Sequence, residues 1–183
     1  MNLKGTSFAS FFDFLTRRFG PSAQTQVLMA MPVEHRKAIE AGVLASGWYS
    51  VATFVCLADV AKRVLGSRDP HFHQAFGRHD AEYGLSGVHR VMLREGGPLR
   101  VLEGAQTLWS HGVDQGRLEV VSTGARSARL HTYDCAVSTI LCDRMTGYCQ
   151  RAAELAGGQD VRIRKDRCAL DGHPRCEWEI RWS

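Results

Sequence analysis

The 183-residue sequence predicts an α+β domain: N-terminal helices packed with an antiparallel sheet made of two hairpins, with one long helix between the hairpins. Three observations predict it. Apolar residues recur at helical spacing through the first 115 or so positions, the period changes after Gly116, and the closing "CEWEIRW" alternates apolar and charged residues at period two. The length suits one domain, 1–183, with a full core, divided into a mainly helical part at 1–115 and a hairpin–long helix–hairpin part at 116–183.

The opening "SFASFFDFLTRRFG" reads as an amphipathic helix. After Pro32, which suits a first helical turn, "VEHRKAIEAGVLASGWY" continues an apolar pattern, and "VATFVCLADVAKRVLG" closes on Gly66 as a C-cap. From Pro70 a further helix sets Phe72, Phe76 and Tyr83 on recurring spacings and ends at Gly96 and Gly97, after which "PLRVLEGAQTLWSHGVDQG" supplies another. "RLEVV" and "RSARLHT" flank the turn-rich "STGA" as a hairpin. Asp134 is a plausible N-cap for a helix of about 22 residues, roughly 33 Å long, that closes at Gly157 and Gly158. Two strands follow, in which Val161 and Ile163, and then Trp178 and Ile180, are expected to face that helix while Arg162, Arg164, Glu177 and Glu179 face solvent.

Composition excludes several function classes. Apolar residues are 44% and charged residues 23%, ordinary values for a globular chain. The net charge of +4 is spread among acids, so no nucleic-acid surface is expected. No apolar run approaches the roughly 20 residues that cross a bilayer, so a cytoplasmic protein without a membrane partner is expected. Phosphate-loop, G-x-S-x-G and H-E-x-x-H patterns are absent from the sequence, which argues against an enzyme. His71, His73, His79 and His89 crowd one segment without an i,i+4 pair and read as a solvated helix face.

Six cysteines remain. In a reducing cytosol they are free or metal-bound. Cys56, Cys135 and Cys149 read as small apolar core residues. Cys168 and Cys176 flank "ALDGHPR", whose Asp171, Gly172 and Pro174 build a tight reversal, so their thiols should lie close together. Cys142, on the long helix, is the candidate third member, and three such thiols are most of a tetrahedral zinc site.

"CDRMTGY" followed by two cysteines eight apart, with Gly-His-Pro between them, resembles the C-terminal half of the 4-vinyl-reductase-like ligand-binding domain, a relative of the heme NO-binding and Golgi-tethering families. The resemblance implies a NO-signalling/Golgi-transport ligand-binding type of fold and a role as a sensing module, which in some bacterial activators detects aromatic molecules. It implies zinc on Cys142, Cys168 and Cys176, with Lys165 standing where the zinc-bearing members have a glutamate. An ammonium has no lone pair to offer, so a metal-free thiol site is the alternative; with zinc, Lys165 must point away and Asp166, His173 or water must complete the site. "MPVEHRKAIEAGVLASGWYS", "FGRHDAEYGLSGVHRVML" and "LWSHGVDQGRLEVV" further resemble a myxobacterial paralogous family.

The expected function is a non-catalytic sensory or scaffold module that binds a small apolar or aromatic molecule or a protein partner, with a homodimer implied by the resemblance. A zinc-bearing aromatic-effector domain and a tetrapyrrole-handling or reductase-type factor are the alternatives. Trp109 and Tyr148 are the candidate ligand-binding residues, since the first precedes a Ser-His-Gly break and the second adjoins Gly147 on the long helix.

Overall fold

The computed structural model describes residues 1–86, 93, 96–135 and 137–183. β1 (Asn2–Lys4) pairs antiparallel with β2 (Trp48–Ser50), and α1 (Gly5–Phe19), α2 (Ala23–Ala30) and α3 (Val33–Glu40) lie between them in sequence. α4 (Val51–Leu65) and α5 (Phe72–Gly84) complete a helical lobe. α6 (Gly97–Gly112) leads into β3 (Arg117–Gly124) and β4 (Ser127–Tyr133), then α7 (Thr139–Leu155), β5 (Arg162–Arg167) and β6 (Cys176–Arg181). The last four strands form one antiparallel sheet in the order β3-β4-β6-β5. The architecture is the expected α+β arrangement.

The helical lobe is built on phenylalanine. Phe8, Phe11, Phe54, Phe72 and Phe76 are buried, and they meet edge to face, as Phe11 and Phe76 do with centroids 4.7 Å apart. The pattern after Pro32 stops sooner than the sequence suggests: α3 ends at Glu40, Gly42 takes a positive φ of 101°, and Trp48 and Tyr49 are drawn into β2 by pairing with β1. Trp48 is therefore exposed, with the Lys4 ammonium 4.1 Å from its ring centroid.

The second core lies between the sheet and the helices α6 and α7. Period-two alternation directs Leu130, Trp178 and Ile180 inward, and Leu130 sits opposite Trp178 across β4 and β6. The Trp178 indole N–H donates to Thr146 Oγ1 at 2.9 Å on α7. Val161 is buried and Ile163 half-buried on the same side.

α5 and α7 join the lobes, and glycine lets them touch. A Cβ on Gly147 would collide with the Gln74 carbonyl, and one on Gly77 with the Arg144 carbonyl. Across this seam Arg144 donates to Asp80 Oδ2 at 2.7 Å and to Ser7 Oγ at 3.0 Å, and Arg78 grips Glu154 through two bonds of 2.9 and 2.8 Å. The Arg78 hydrogen bond, reinforced by Arg151 against the opposing effect of burial, holds the Glu154 pKa below the ordinary carboxylate value. Its contribution to stability is complete above the unfolded pKa of about 4.3 and is lost as pH falls through the lower folded value. Arg78→Gln should therefore lose less stability than the parent when urea midpoints are compared at pH 7 and below pH 4. An equal loss in both proteins would separate Glu154 from the acid response.

Several expectations change. α7 begins at Thr139, capped by Ser138, whose hydroxyl accepts from the Ile140 N–H. Asp134 instead adopts a positive φ of 56°, and Cys135 packs against Gly116, so Cys135 is off the helix. His73 is buried with Nε2 3.3 Å from the Ala58 carbonyl rather than solvated, and burial holds its pKa down. His89 lies outside the described residues. Tyr83 is exposed and Cys56 only half-buried. Glu177, expected in solvent, is 6% exposed because His131, Arg175 and Arg129 close over it on the outer face of the sheet.

Candidate functional site

A cavity of about 630 Å³ lies where the two lobes meet. α6 contributes Ala105, Leu108 and Trp109, α7 contributes Leu141, Met145 and Tyr148, and the sheet contributes Leu118 and Trp178. The remaining walls come from Met1 and Leu3 at the N-terminus and from the end of α5. The N-terminal segment is held there by two ties: Leu3 bridges to Val113, and Asn2 donates through its backbone N–H and its side-chain amide to Asp114 at 2.6 and 2.7 Å.

Both residues singled out for ligand binding line this space. The Trp109 indole N–H is buried without a hydrogen-bond partner among the described residues. An unpaired buried donor costs free energy that an acceptor on an occupant would recover. Tyr148 presents one face to the cavity, and burial pushes its phenol pKa well above the ordinary value. Trp178 is also in the wall.

At the cavity floor Cys142, Cys168 and Cys176 converge, their sulfur atoms all within 4.8 Å of one another. Cys142 and Cys176 face the cavity. The Cys176 and Cys168 sulfurs are 3.9 Å apart, and the Ala169 N–H donates to Cys176 Sγ at 3.3 Å. The 3-10 turn Ala169–Asp171 and Gly172, at a positive φ of 86°, return the chain to β6.

Lys165 does not point away. Its ammonium donates to Cys168 Sγ at 2.8 Å. Burial opposes ionisation of the Cys168 thiol, but the Lys165 hydrogen bond and the Leu170 N–H outweigh it and hold its pKa below the ordinary cysteine value. Burial pushes Cys142 up to about 12. Lys165 itself rises to about 12: burial works against its charge, and the bonds to Cys142 and Cys168 prevail.

Sequence reasoning missed three participants: Lys165 among the thiols, Cys135 in the cavity wall, and the Glu119–His131–Glu177 row on the outer sheet face. The signal for Lys165 was present, since Val161, Ile163 and Lys165 share one parity along the strand.

This architecture is that of the H-NOX proteins. An H-NOX protein from S. oneidensis in the Fe(II)NO ligation state superposes with a TM-score of 0.76 at 18% identity, covering 99% of both chains. The Fe(II) unliganded H-NOX protein from K. algicida gives 0.73 at 13% identity, covering 99% of this chain and 97% of that one. At these identities the likeness establishes the fold. The chain itself belongs to the family described as protein of unknown function DUF2378, whose model matches residues 11–183. No curated protein matches it.

These comparisons support the heme NO-binding side of the resemblance, and they do not carry its 4-vinyl-reductase or myxobacterial side. They also overturn the expectation of zinc or no cofactor, because solved proteins of this fold are Fe(II) proteins and one study of them concerns heme distortion in the H-NOX family. The geometry points the same way for zinc: an ammonium 2.8 Å from one of three sulfurs repels a divalent cation placed among them.

Among the described residues no helix is long and apolar enough to cross a membrane.

Proposed function

We propose that the chain is a sensory binding module whose interlobe cavity takes a small, largely apolar molecule. The observation that carries this reading is the cavity itself, because about 630 Å³ lined by Leu, Met, Trp and Tyr side chains from both lobes has the size and lining of a ligand pocket. An occupant there would contact α6, α7, the sheet and the tethered N-terminus at once, so its binding energy would act on the relation between the lobes. The output would pass to a protein partner or to a second copy of the chain.

Heme is the group that the fold brings forward, and the described residues do not fit it. Heme iron needs an axial donor, and the propionates need cations. The only imidazole in the described lining is His111, exposed in the last turn of α6. Of the other donor types that hold heme iron, burial pushes the Cys142 thiol up to about 12 and raises the Cys135 thiol and the Tyr148 phenol, Met145 Sδ accepts from Cys149, and Cys176 Sγ is engaged by the Ala169 N–H and Cys168. Of the lining cations, Arg144 is bound by Asp80 and Ser7, and Lys4 by the Ser46 carbonyl and the Trp48 face. The cavity instead suits an aromatic or aliphatic molecule that offers one acceptor to the Trp109 N–H.

Thermal unfolding in the presence of indole, naphthol or decanoate tests this. A ligand at 100 times its Kd adds about 2.7 kcal/mol, which raises Tm by about 5–10 °C for a chain of this size, and Trp109→Ala should reduce the rise. No shift with any of these probes, together with stoichiometric heme uptake and a Soret band that His111→Ala abolishes, would replace this reading with a heme sensor.

A further inference from the structure

The thiols at the cavity floor have an arrangement that packing alone does not require. Cys149 shows what packing looks like here: it is fully enclosed, its only polar contact among the described residues is the Met145 sulfur, and burial pushes its thiol up to about 12. Cys168 has the Lys165 ammonium at 2.8 Å on one side and the Cys176 sulfur at 3.9 Å on the other. We propose that Lys165, Cys168 and Cys176 form a peroxide-reactive dithiol site, with Cys168 the attacking sulfur, Cys176 the resolving sulfur and Lys165 the positioning residue. The proposal does not rest on which molecule the cavity takes, although an occupant would cover the Cys142 and Cys176 side of the cluster.

The geometry supplies each part. A lysine ammonium has three donors and no acceptor, so its bond to Cys168 Sγ stabilises that sulfur as an anion, the form that attacks peroxides. Cys176 accepts the Ala169 N–H and lies across a hairpin connection of seven residues. Cys176 is the fitting resolving sulfur because it already touches Cys168 at 3.9 Å and follows on from the Arg167–Glu177 pair of the neighbouring strands, a placement from which side-chain rotation can close the bond, whereas Cys142 comes from α7. Cys142 and Cys176 border the cavity, so a small hydroperoxide entering there comes to the edge of the cluster, with Cys168 directly behind Cys176.

The chemistry balances with a hydroperoxide as oxidant. The Cys168 sulfur attacks the terminal peroxide oxygen; the S–O bond forms, the O–O bond breaks and the alkoxide or hydroxide leaves with a proton from solvent. The Cys176 sulfur then attacks the sulfenic sulfur of Cys168. The S–S bond forms, the S–O bond breaks and water leaves with the Cys176 proton. In sum, two thiols are oxidised by two electrons and one hydroperoxide is reduced to an alcohol and water. The product ties the end of β5 to the start of β6 and draws the Cys176 sulfur toward Cys168, so the cavity floor changes shape.

Trypsin makes the product identifiable, because cleavage after Arg167, Arg175 and Arg181 releases "CALDGHPR" and "CEWEIR" as separate peptides unless the bond joins them. The folded protein is treated with hydrogen peroxide at one to ten equivalents, blocked with iodoacetamide and digested. The expected result is the joined peptide, reversed by dithiothreitol, with Cys168 consumed at least tenfold faster than Cys149 in the same sample. In Cys176→Ser, dimedone should label Cys168. Lys165→Gln should slow the reaction about tenfold or more, and Lys165→Arg should restore most of it. The unsubstituted protein decides the matter even where a variant fails to fold. Equal consumption of Cys168 and Cys149, a bond elsewhere, or a stoichiometric metal released from the three thiols on oxidation would overturn the proposal.

Discussion

Trp178→Ala should destabilise the fold by about 3–5 kcal/mol, near the top of what one core truncation costs. Trp178 is 2% exposed at the centre of the second core, opposite Leu130 on β4 and flanked across β5 by Lys165. Four losses combine. The indole area is no longer removed from water, the void lies beside an existing cavity and so collapses poorly, and Thr146 Oγ1 loses its donor. The Lys165 ammonium, 5.5 Å from the ring centroid, also loses an apolar cover. In urea the midpoint should fall with m unchanged, and Tm should drop by roughly 6–20 °C. A loss below about 1 kcal/mol would mean that the indole is not seated in the core as described.

The same residue shows how far the sequence could be read. Period two in "CEWEIRW" places Cys176, Trp178 and Ile180 on one face, and the structure buries all three. The fold class followed from such periodicities because each is a local consequence of burying one face. What was missed is tertiary. Parity along β5 puts Lys165 inward, but a lysine on an apolar face has no local reason to stay there; its reason is Cys168, brought near by the return of the chain. Glu177 has outward parity, yet His131 from β4 and Arg175 close over it, which no single-strand pattern shows. The start of α7 was misplaced because Asp134 and Ser138 are both competent caps, and the packing of Cys135 on Gly116 selects the second.

The candidate site was legible in part for the same reason. The turn chemistry of "LDGHP" brings Cys168 and Cys176 together, and a family resemblance supplied Cys142. A pocket between helices and sheet could be expected, but not its full walls, since they come from both ends of the chain: Met1 and Leu3 share the lining with residues more than 100 positions away. Trp109 and Tyr148 could be picked out as aromatics next to breaks in a helix, but not as neighbours across a space. The resemblance raised heme, but the fit of the wall to it was not legible, because that turns on which donors and cations in the wall already have partners.

Arg144→Ala should cost about 3–5 kcal/mol as well, through electrostatics rather than volume. Arg144 is the only described link that bonds α7 to both α1 and α5, through Ser7 and Asp80, and it stacks near Phe54 and Phe76 at 5.2 and 5.3 Å. Removing it leaves the Asp80 carboxylate, 8% exposed, without its cation in a low-dielectric seam. Truncating one partner of such a pair costs far more than the pair contributes net, whereas replacing both partners by apolar groups of similar volume is often neutral. Arg144→Met with Asp80→Leu should therefore be more stable than Arg144→Met alone and recover most of the loss, and the cycle built from Arg144→Met, Asp80→Leu and the double variant should give a coupling of about 2 kcal/mol by urea unfolding, within the range for residues in one network. The recovered protein carries a second readout. Arg144 and Asp80 both line the cavity, so the double variant changes its wall as well as the orientation that the guanidinium imposes on α7, and the ligand-induced rise in Tm should be smaller than in the parent even though the stability is similar. Equal ligand response in the double variant would show that the ion pair holds the seam without setting the geometry of the cavity.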